Sequence, residues 1–132
     1  MVAELILKEL SFRIYGVLFA VHNELDRYCR EKQYGDLLEK KLKELGIKYK
    51  REVKIGNSGN IADFIIENEI VLELKAKPVM LKDDYYQLQR YLQTLNIKLG
   101  LLVNFRNKYL KPIRVIKIDT DNKDKFAPLK SN

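Results

Sequence analysis

The chain has 132 residues, 46% of them apolar, which suffices for one hydrophobic core and not for two; a single domain is expected over residues 1–118, followed by a polar tail at 119–132. Lys and Arg number 25 against 18 Asp and Glu, and the resulting charge of +7 favours polyanionic partners, nucleic acid first. Cys29 stands alone and excludes an internal disulfide, no secretory leader pattern is seen, and the apolar stretch at residues 17–21 falls far below the roughly 20 residues of a membrane span, so a cytoplasmic home without membrane insertion is expected.

Leu7, Leu10, Ile14, Val17, Leu18, Val21 and Leu25 recur at steps of three and four, which predicts an amphipathic helix over residues 4–26. Gly16 within it would admit close approach of another element. His22 and Glu24 near its end read as capping or supporting residues. A break is expected over 26–30, then a second helix over 31–45 stopped by Gly46, with Tyr34, Leu37, Leu38, Leu42 and Leu45 as its buried stripe. Glu31 falls at the edge of that stripe, where an acid could reach a neighbouring sheet. An ordinary first-turn glutamate favouring the helix N-terminus is the other reading.

Residues 48–55 alternate apolar and charged and predict a first strand, and Gly56-Asn57-Ser58-Gly59-Asn60 predicts a turn. The apolar runs 61–66 and 70–76 then flank Glu67-Asn68-Glu69, which suits a hairpin. With Asn68 at the tip, Ile66 faces Ile70 and Asp63 falls opposite Glu73. Alternation puts Asp63, Ile65, Val71, Glu73 and Lys75 on one face and Phe64, Ile66, Leu72 and Leu74 on the other, which reads as core. Two carboxylates across a ladder lie only about 5 Å apart at Cβ and repel one another. A positive group is therefore expected between them, either Lys75 or a hard divalent cation held by carboxylates, phosphate and water. The same residues also admit a hairpin with a solvated acidic face and an incidental lysine.

Pro78 ends regular pairing, and a helix over 82–95 puts Gln87 and Tyr91 on one face. Gln87 could contact a phosphate or face water; Tyr91 could bury its ring with Tyr85, Leu88 and Leu92 and still offer its hydroxyl. Residues 99–105 read as an interior strand and 112–118 as a fifth strand near an edge. A helix between the third and fourth strands permits a parallel crossover.

Asp63 followed by Glu73-Leu74-Lys75 resembles the catalytic core of the PD-(D/E)XK nuclease superfamily, with Ala62 where that family often has proline. His22-Asn23-Glu24-Leu25, Glu31 with Tyr34, Ile61-Ala62-Asp63, Glu73-Leu74-Lys75-Ala76, Gln87 with Tyr91, and Gly100-Leu101-Leu102-Val103-Asn104-Phe105 are similar, in order and approximate spacing, to one branch, the GxxExxY proteins, over about residues 5–118. Tyr28 stands where that branch has its glycine. The resemblance implies an α/β fold with a restriction-endonuclease-like core, a mixed central sheet of about five strands flanked by helices in the order ααβββαββ. It implies a Mg2+- or Mn2+-dependent nuclease in which Asp63, Glu73, the Leu74 carbonyl and Glu31 serve the metal and Lys75 positions water. Gln87 and Tyr91 would match the QxxxY element of RecB-like nucleases. Nucleic acid, DNA ahead of RNA, would be the substrate, tracked by such basic residues as Arg27, Arg30, Lys32, Lys77, Lys82 and Arg90, and a homodimer would suit cleavage of both strands. Two other classes stay open: a non-catalytic nucleic-acid-binding module on the same scaffold, and an interaction subunit docking through Tyr85-Tyr86.

Overall fold

The computed structural model describes residues 7–119. Helices α1 (Lys8–Leu25) and α2 (Glu31–Glu44) precede strands β1 (Tyr49–Lys54), β2 (Ile61–Ile66) and β3 (Ile70–Lys75), followed by helix α3 (Lys82–Leu95) and strands β4 (Leu99–Asn104) and β5 (Ile113–Ile116). This is the order expected from periodicity. Residues 4–6 of the expected first helix and 120–132 of the expected tail lie outside the described residues.

The strands form one mixed sheet in the order β1-β2-β3-β4-β5. Every neighbouring pair is antiparallel except β3 and β4. A parallel pair needs a long crossover, and α3 supplies it. The β2–β3 hairpin has the expected register, with Ile66 opposite Ile70 and Phe64 opposite Leu72. Glu67 and Asn68 at its tip both take positive φ, the geometry that a tight hairpin turn requires.

Both faces of the sheet are covered. Ile14, Leu18 and Val21 of α1 and Tyr34, Leu38 and Leu42 of α2 share one core with Phe64, Ile66, Leu72, Leu74 and Leu101. On the other face Leu88, Tyr91 and Leu92 of α3 meet Val71 and Leu102. β4 is buried along its whole length, as a strand covered twice must be. The Tyr34 ring stacks on Phe105 at 4.2 Å between centroids, tying α2 to the end of β4.

Two expectations need correcting. Gly16 is exposed with no atom near its missing Cβ, so no element approaches there; the close approaches are at Gly35, beneath Arg51, and at Gly100, beneath Leu88. Leu45 is 54% exposed because α2 ends at Glu44, Gly46 turns the chain at φ 68, and Ile47 enters the core instead. In the 26–30 turn it is Asp26 that takes positive φ, so Tyr28 needs no glycine-like backbone. His22 meets the Asn107 carbonyl oxygen through Nε2 at 2.9 Å, a tie between the end of α1 and the β4–β5 loop.

A Cβ on Gly100 would lie 2.9 Å from three side-chain atoms of Leu88, which is itself fully buried and has no room to withdraw. Gly100→Ala is therefore expected to destabilise the chain by about 1–3 kcal/mol in chemical denaturation. Gly16→Ala, in an open helical position, is expected to stabilise it by up to about 1 kcal/mol.

Candidate active site at the open end of the hairpin

One step beyond the Phe64–Leu72 pair, the hairpin stops pairing backbone to backbone. The Asp63 N–H donates to Glu73 Oε2 at 2.7 Å, and the Leu74 N–H donates to Asp63 Oδ2 at 2.7 Å. Each carboxylate thus takes a donor that an ordinary ladder would give to a carbonyl. On the other side, β1 pairs Arg51 with Phe64 and Val53 with Ala62 but leaves Glu52, at φ 55, out of the register beside Asp63. Ala62 packs on the α3 side of the sheet and Phe64 on the α1–α2 side, although strict alternation would put them together. The strand turns over at Asp63.

Burial sets the electrostatics of the pair. Glu73 is 4% exposed, and burial, followed by the neighbouring Asp63 charge, pushes its pKa up to about 8. Asp63 is also raised, by burial first and then by the Glu31 charge, against the opposing hydrogen bond from Leu74. Lys75 lowers both acids electrostatically but makes its ion pair elsewhere: its Nζ lies 3.8 Å from Asp84 Oδ1, while Lys77 Nζ lies 2.6 Å from Asp84 Oδ2. The expectation that a cation sits between the two acids is therefore not met by Lys75.

Tyr91 is buried in the α3-side core as its hydrophobic spacing suggested, with its pKa pushed up to about 12 by burial and then by the charges of Glu73 and Asp63. Its hydroxyl shares their field. Gln87 is half-buried and has no hydrogen-bond partner among the described residues. Tyr85 packs against the α3-side core while Tyr86 is exposed, so the two rings do not present one docking surface.

Glu31 is exposed and shares with Asp63 a cleft of about 260 Å³, lined also by Lys32, Gly35, Arg51, Glu52, Phe64 and Leu74. Arg51 does not serve this pair directly: it binds Asp36 and Glu39 of α2 at 2.8 and 2.9 Å. Arg51, Glu52 and Asp84 were not singled out from the sequence. Arg51 was readable in principle, since alternation puts it on the half-buried face of β1 with Tyr49. Asp84 was readable as the third residue of a helix, where an acid accepts the N-cap N–H; Asp84 Oδ2 accepts from the Leu81 N–H at 2.8 Å.

The donors of the Asp63–Glu73 pair suit a hard divalent cation. They are carboxylate oxygens, of a buried Glu73 and a half-buried Asp63, that repel one another when ionised and have no ion pair, and neither Asp63 Oδ1 nor Glu73 Oε1 has a hydrogen-bond partner among the described residues. Among the described residues, however, no group of three or more His, Cys, Asp or Glu side chains could hold a metal ion, so protein acids alone would leave coordination to backbone, water or substrate oxygens.

A family model described as the PD-(D/E)XK nuclease superfamily matches residues 8–116. Among solved structures, a chain titled "Crystal structure of SSO0001" is similar at a TM-score of 0.48 and 21% identity, over 86% of this chain and 71% of that one. No curated protein matches.

Asp84 supplies a measurement independent of catalysis. Burial disfavours its charge, but hydrogen bonds from Lys77 and the Leu81 N–H outweigh burial and hold its pKa below the ordinary aspartate value. A depressed carboxyl pKa adds stability that is present above the unfolded pKa, near 3.9, and is lost as pH falls through the lower folded value. Asp84→Asn is expected to cost about 1 kcal/mol at pH 7, by loss of the charged cap, with the gap to wild type narrowing below about pH 4 in urea titrations.

Proposed function

The chain belongs to the PD-(D/E)XK nuclease superfamily, whose match runs from the start of α1 to the end of β5, and on that footing we propose that it hydrolyses phosphodiester bonds of nucleic acid at the Asp63–Glu73 rim. The observation that carries the reading is the carboxylate pair of buried Glu73 and half-buried Asp63, each acid bonded to a backbone N–H of the opposite strand and neither in an ion pair. A chain that needed only a hairpin would not keep two repelling acids there.

Asp63 Oδ1, Glu73 Oε1 and the Leu74 carbonyl would hold Mg2+ or Mn2+, with Glu31 reaching it across the cleft through water. When bound, such an ion polarises a phosphate oxygen and lowers the pKa of a coordinated water. Lys75, a compact charge steadied from the α3 side by Asp84, orients the attacking water and stabilises the negative charge that builds on the phosphate. Gln87 has its amide uncommitted and donates to a phosphate oxygen of the cleaved strand. Tyr91, its ring in the α3-side core and within the field of Glu73 and Asp63, would offer its hydroxyl to the reacting group.

The finer parts of the reading are proposals of the same kind. They are DNA rather than RNA as substrate, one nuclease domain over residues 1–118, membership of the GxxExxY branch, a cytoplasmic home, and a homodimer where both strands are cut. Among the described residues no helix is long and apolar enough to cross a membrane.

The test incubates purified protein with linear, nicked and single-stranded DNA and with RNA, in Mg2+, Mn2+ or EDTA, beside Asp63→Ala and Lys75→Ala. Cleavage is expected only with metal and is expected to fall by about 100-fold or more in each variant. Wild-type protein that binds these substrates and cuts none of them in either metal overturns the hydrolase reading in favour of a binding module.

A further inference from the structure

Two loops meet where β3 and β4 end: residues 26–30, between α1 and α2, and residues 105–112, between β4 and β5. The second leaves the sheet beside the strand carrying Lys75. The Phe105 N–H donates to the Lys75 carbonyl at 2.8 Å, and the Asn104 side chain donates to the Lys77 carbonyl and accepts from the N–H groups of Lys77 and Arg106. The loops are also fastened to one another. Arg27 Nε donates to the Arg106 carbonyl at 2.8 Å, and the Tyr34 hydroxyl, stacked by its ring on Phe105, donates to the Asp26 carbonyl and accepts from the Cys29 N–H.

On this fixed base two aromatic rings stand out of the protein, Tyr28 at 74% and Tyr109 at 79% exposure. Cations flank both. The guanidinium carbons of Arg27 and Arg106 lie 5.1 and 5.7 Å from the Tyr28 centroid, and Lys108 Nζ lies 5.4 Å from that of Tyr109. No carboxylate pairs with Arg27, Arg106 or Lys108 among the described residues, and Arg106 Nε is buried without an acceptor. Asp26 is the one acid in the two loops, against Arg27, Arg30, Arg106, Lys108 and Lys111.

Exposed rings beside uncommitted cations are the two components of single-strand recognition, since an unpaired base offers a π-face for stacking and its phosphate takes the neighbouring charge. A duplex keeps its bases stacked on one another and offers only phosphates to such a surface. We propose that these two loops dock a single-stranded segment of nucleic acid, with bases on Tyr28 and Tyr109 and phosphates at Arg27, Arg106 and Lys108. The inference rests on the nuclease reading for the destination of that strand, the Asp63–Glu73 rim, and not for the docking itself. It gives Tyr28 a task that the glycine of the GxxExxY branch would not perform.

The experiment is fluorescence anisotropy in EDTA, which measures docking without cleavage, using a labelled mixed-sequence 20-nucleotide strand and the duplex of the same sequence. Wild type, Tyr28→Ala, Tyr28→Phe, Tyr109→Ala and Arg106→Ala are compared at several salt concentrations, each with a thermal unfolding curve. Wild type is expected to bind the single strand more tightly than the duplex. Tyr28→Ala and Tyr109→Ala are each expected to weaken single-strand binding by at least about fivefold while leaving duplex binding and unfolding unchanged, and Tyr28→Phe to bind as wild type. Arg106→Ala is expected to weaken both and to reduce the salt slope by about one. Equal affinity for strand and duplex, or tyrosine variants that bind the strand as wild type does, overturns the inference. If that happens while metal-dependent cleavage persists, only the docking surface is lost; a strand preference without cleavage would sink the nuclease reading and leave the docking surface intact.

Discussion

The pair of hydrogen bonds from the Asp63 N–H to Glu73 and from the Leu74 N–H to Asp63 is the constraint around which the rest of this structure is arranged. Each acid accepts from a backbone N–H of the facing strand, so each fixes the other's position at a point where the ladder would otherwise close. Neutralising the pair would be the simplest way to stabilise it, and Lys75 and Arg51 are close enough to lower the Asp63 pKa electrostatically. They are committed elsewhere. Lys75 and Lys77 are drawn to Asp84, and Arg51 is drawn to Asp36 and Glu39. The pair is therefore left without an ion-pairing cation, and burial first, then the Asp63 charge, raises Glu73 to about 8, so that it holds its proton at neutral pH. Ionising both acids there is costly unless a cation arrives to offset their charge.

Holding two repelling acids in register requires a frame that does not yield. The hairpin gets one because β3 lies at the middle of the sheet, with apolar cores on both faces and the fully buried β4 paired in parallel along its whole length. Asn104 then carries this rigidity past the end of the ladder, bonding the Lys77 backbone in both directions. The position of Lys75 is thus set twice, by the backbone beneath it and by Asp84 at the head of α3.

Local patterns in the sequence were sufficient for much of this. The three- and four-residue steps of the helices, the polar trio between two apolar runs and the nearly continuous apolar run at 99–105 each follow from a period that burial imposes, and the symmetry of the trio alone set Asp63 against Glu73. What pattern could not supply was the partner of each long side chain. Lys75 shares a strand face with Glu73, so spacing favoured a pairing between them, but the nearer acid comes from the first turn of α3, which only the fold brings alongside. The reversal of the strand at Asp63 was hidden for a related reason: alternation presumes a regular ladder, and here Glu52 leaves the register. Gly16 misled because a helical glycine can mark contact or simply an open surface.

If these acids are the centre that receives a polyanion, as proposed, they face an electrostatic difficulty of their own. Glu31, Glu52 and Asp63 line one cleft with Glu73 at its rim, and each of them that is ionised would repel an approaching phosphate backbone. On the proposed reading a divalent ion would offset that repulsion at the point of chemistry, but the remainder of the strand would still have to be held. Screening limits the help that distant charge can give, since fields decay over about 8 Å at physiological ionic strength. The net charge of +7 is thus useful only where its cations lie close to the path of the strand. The loops at the end of β4 would meet that condition: their cations are free of carboxylate partners among the described residues, and the 105–112 loop is bonded through the Phe105 N–H to the Lys75 carbonyl, with Arg27 fastening the 26–30 loop to it. Attraction beside the centre then compensates for repulsion within it, and the two exposed rings can hold the bases where charge alone would hold only phosphates.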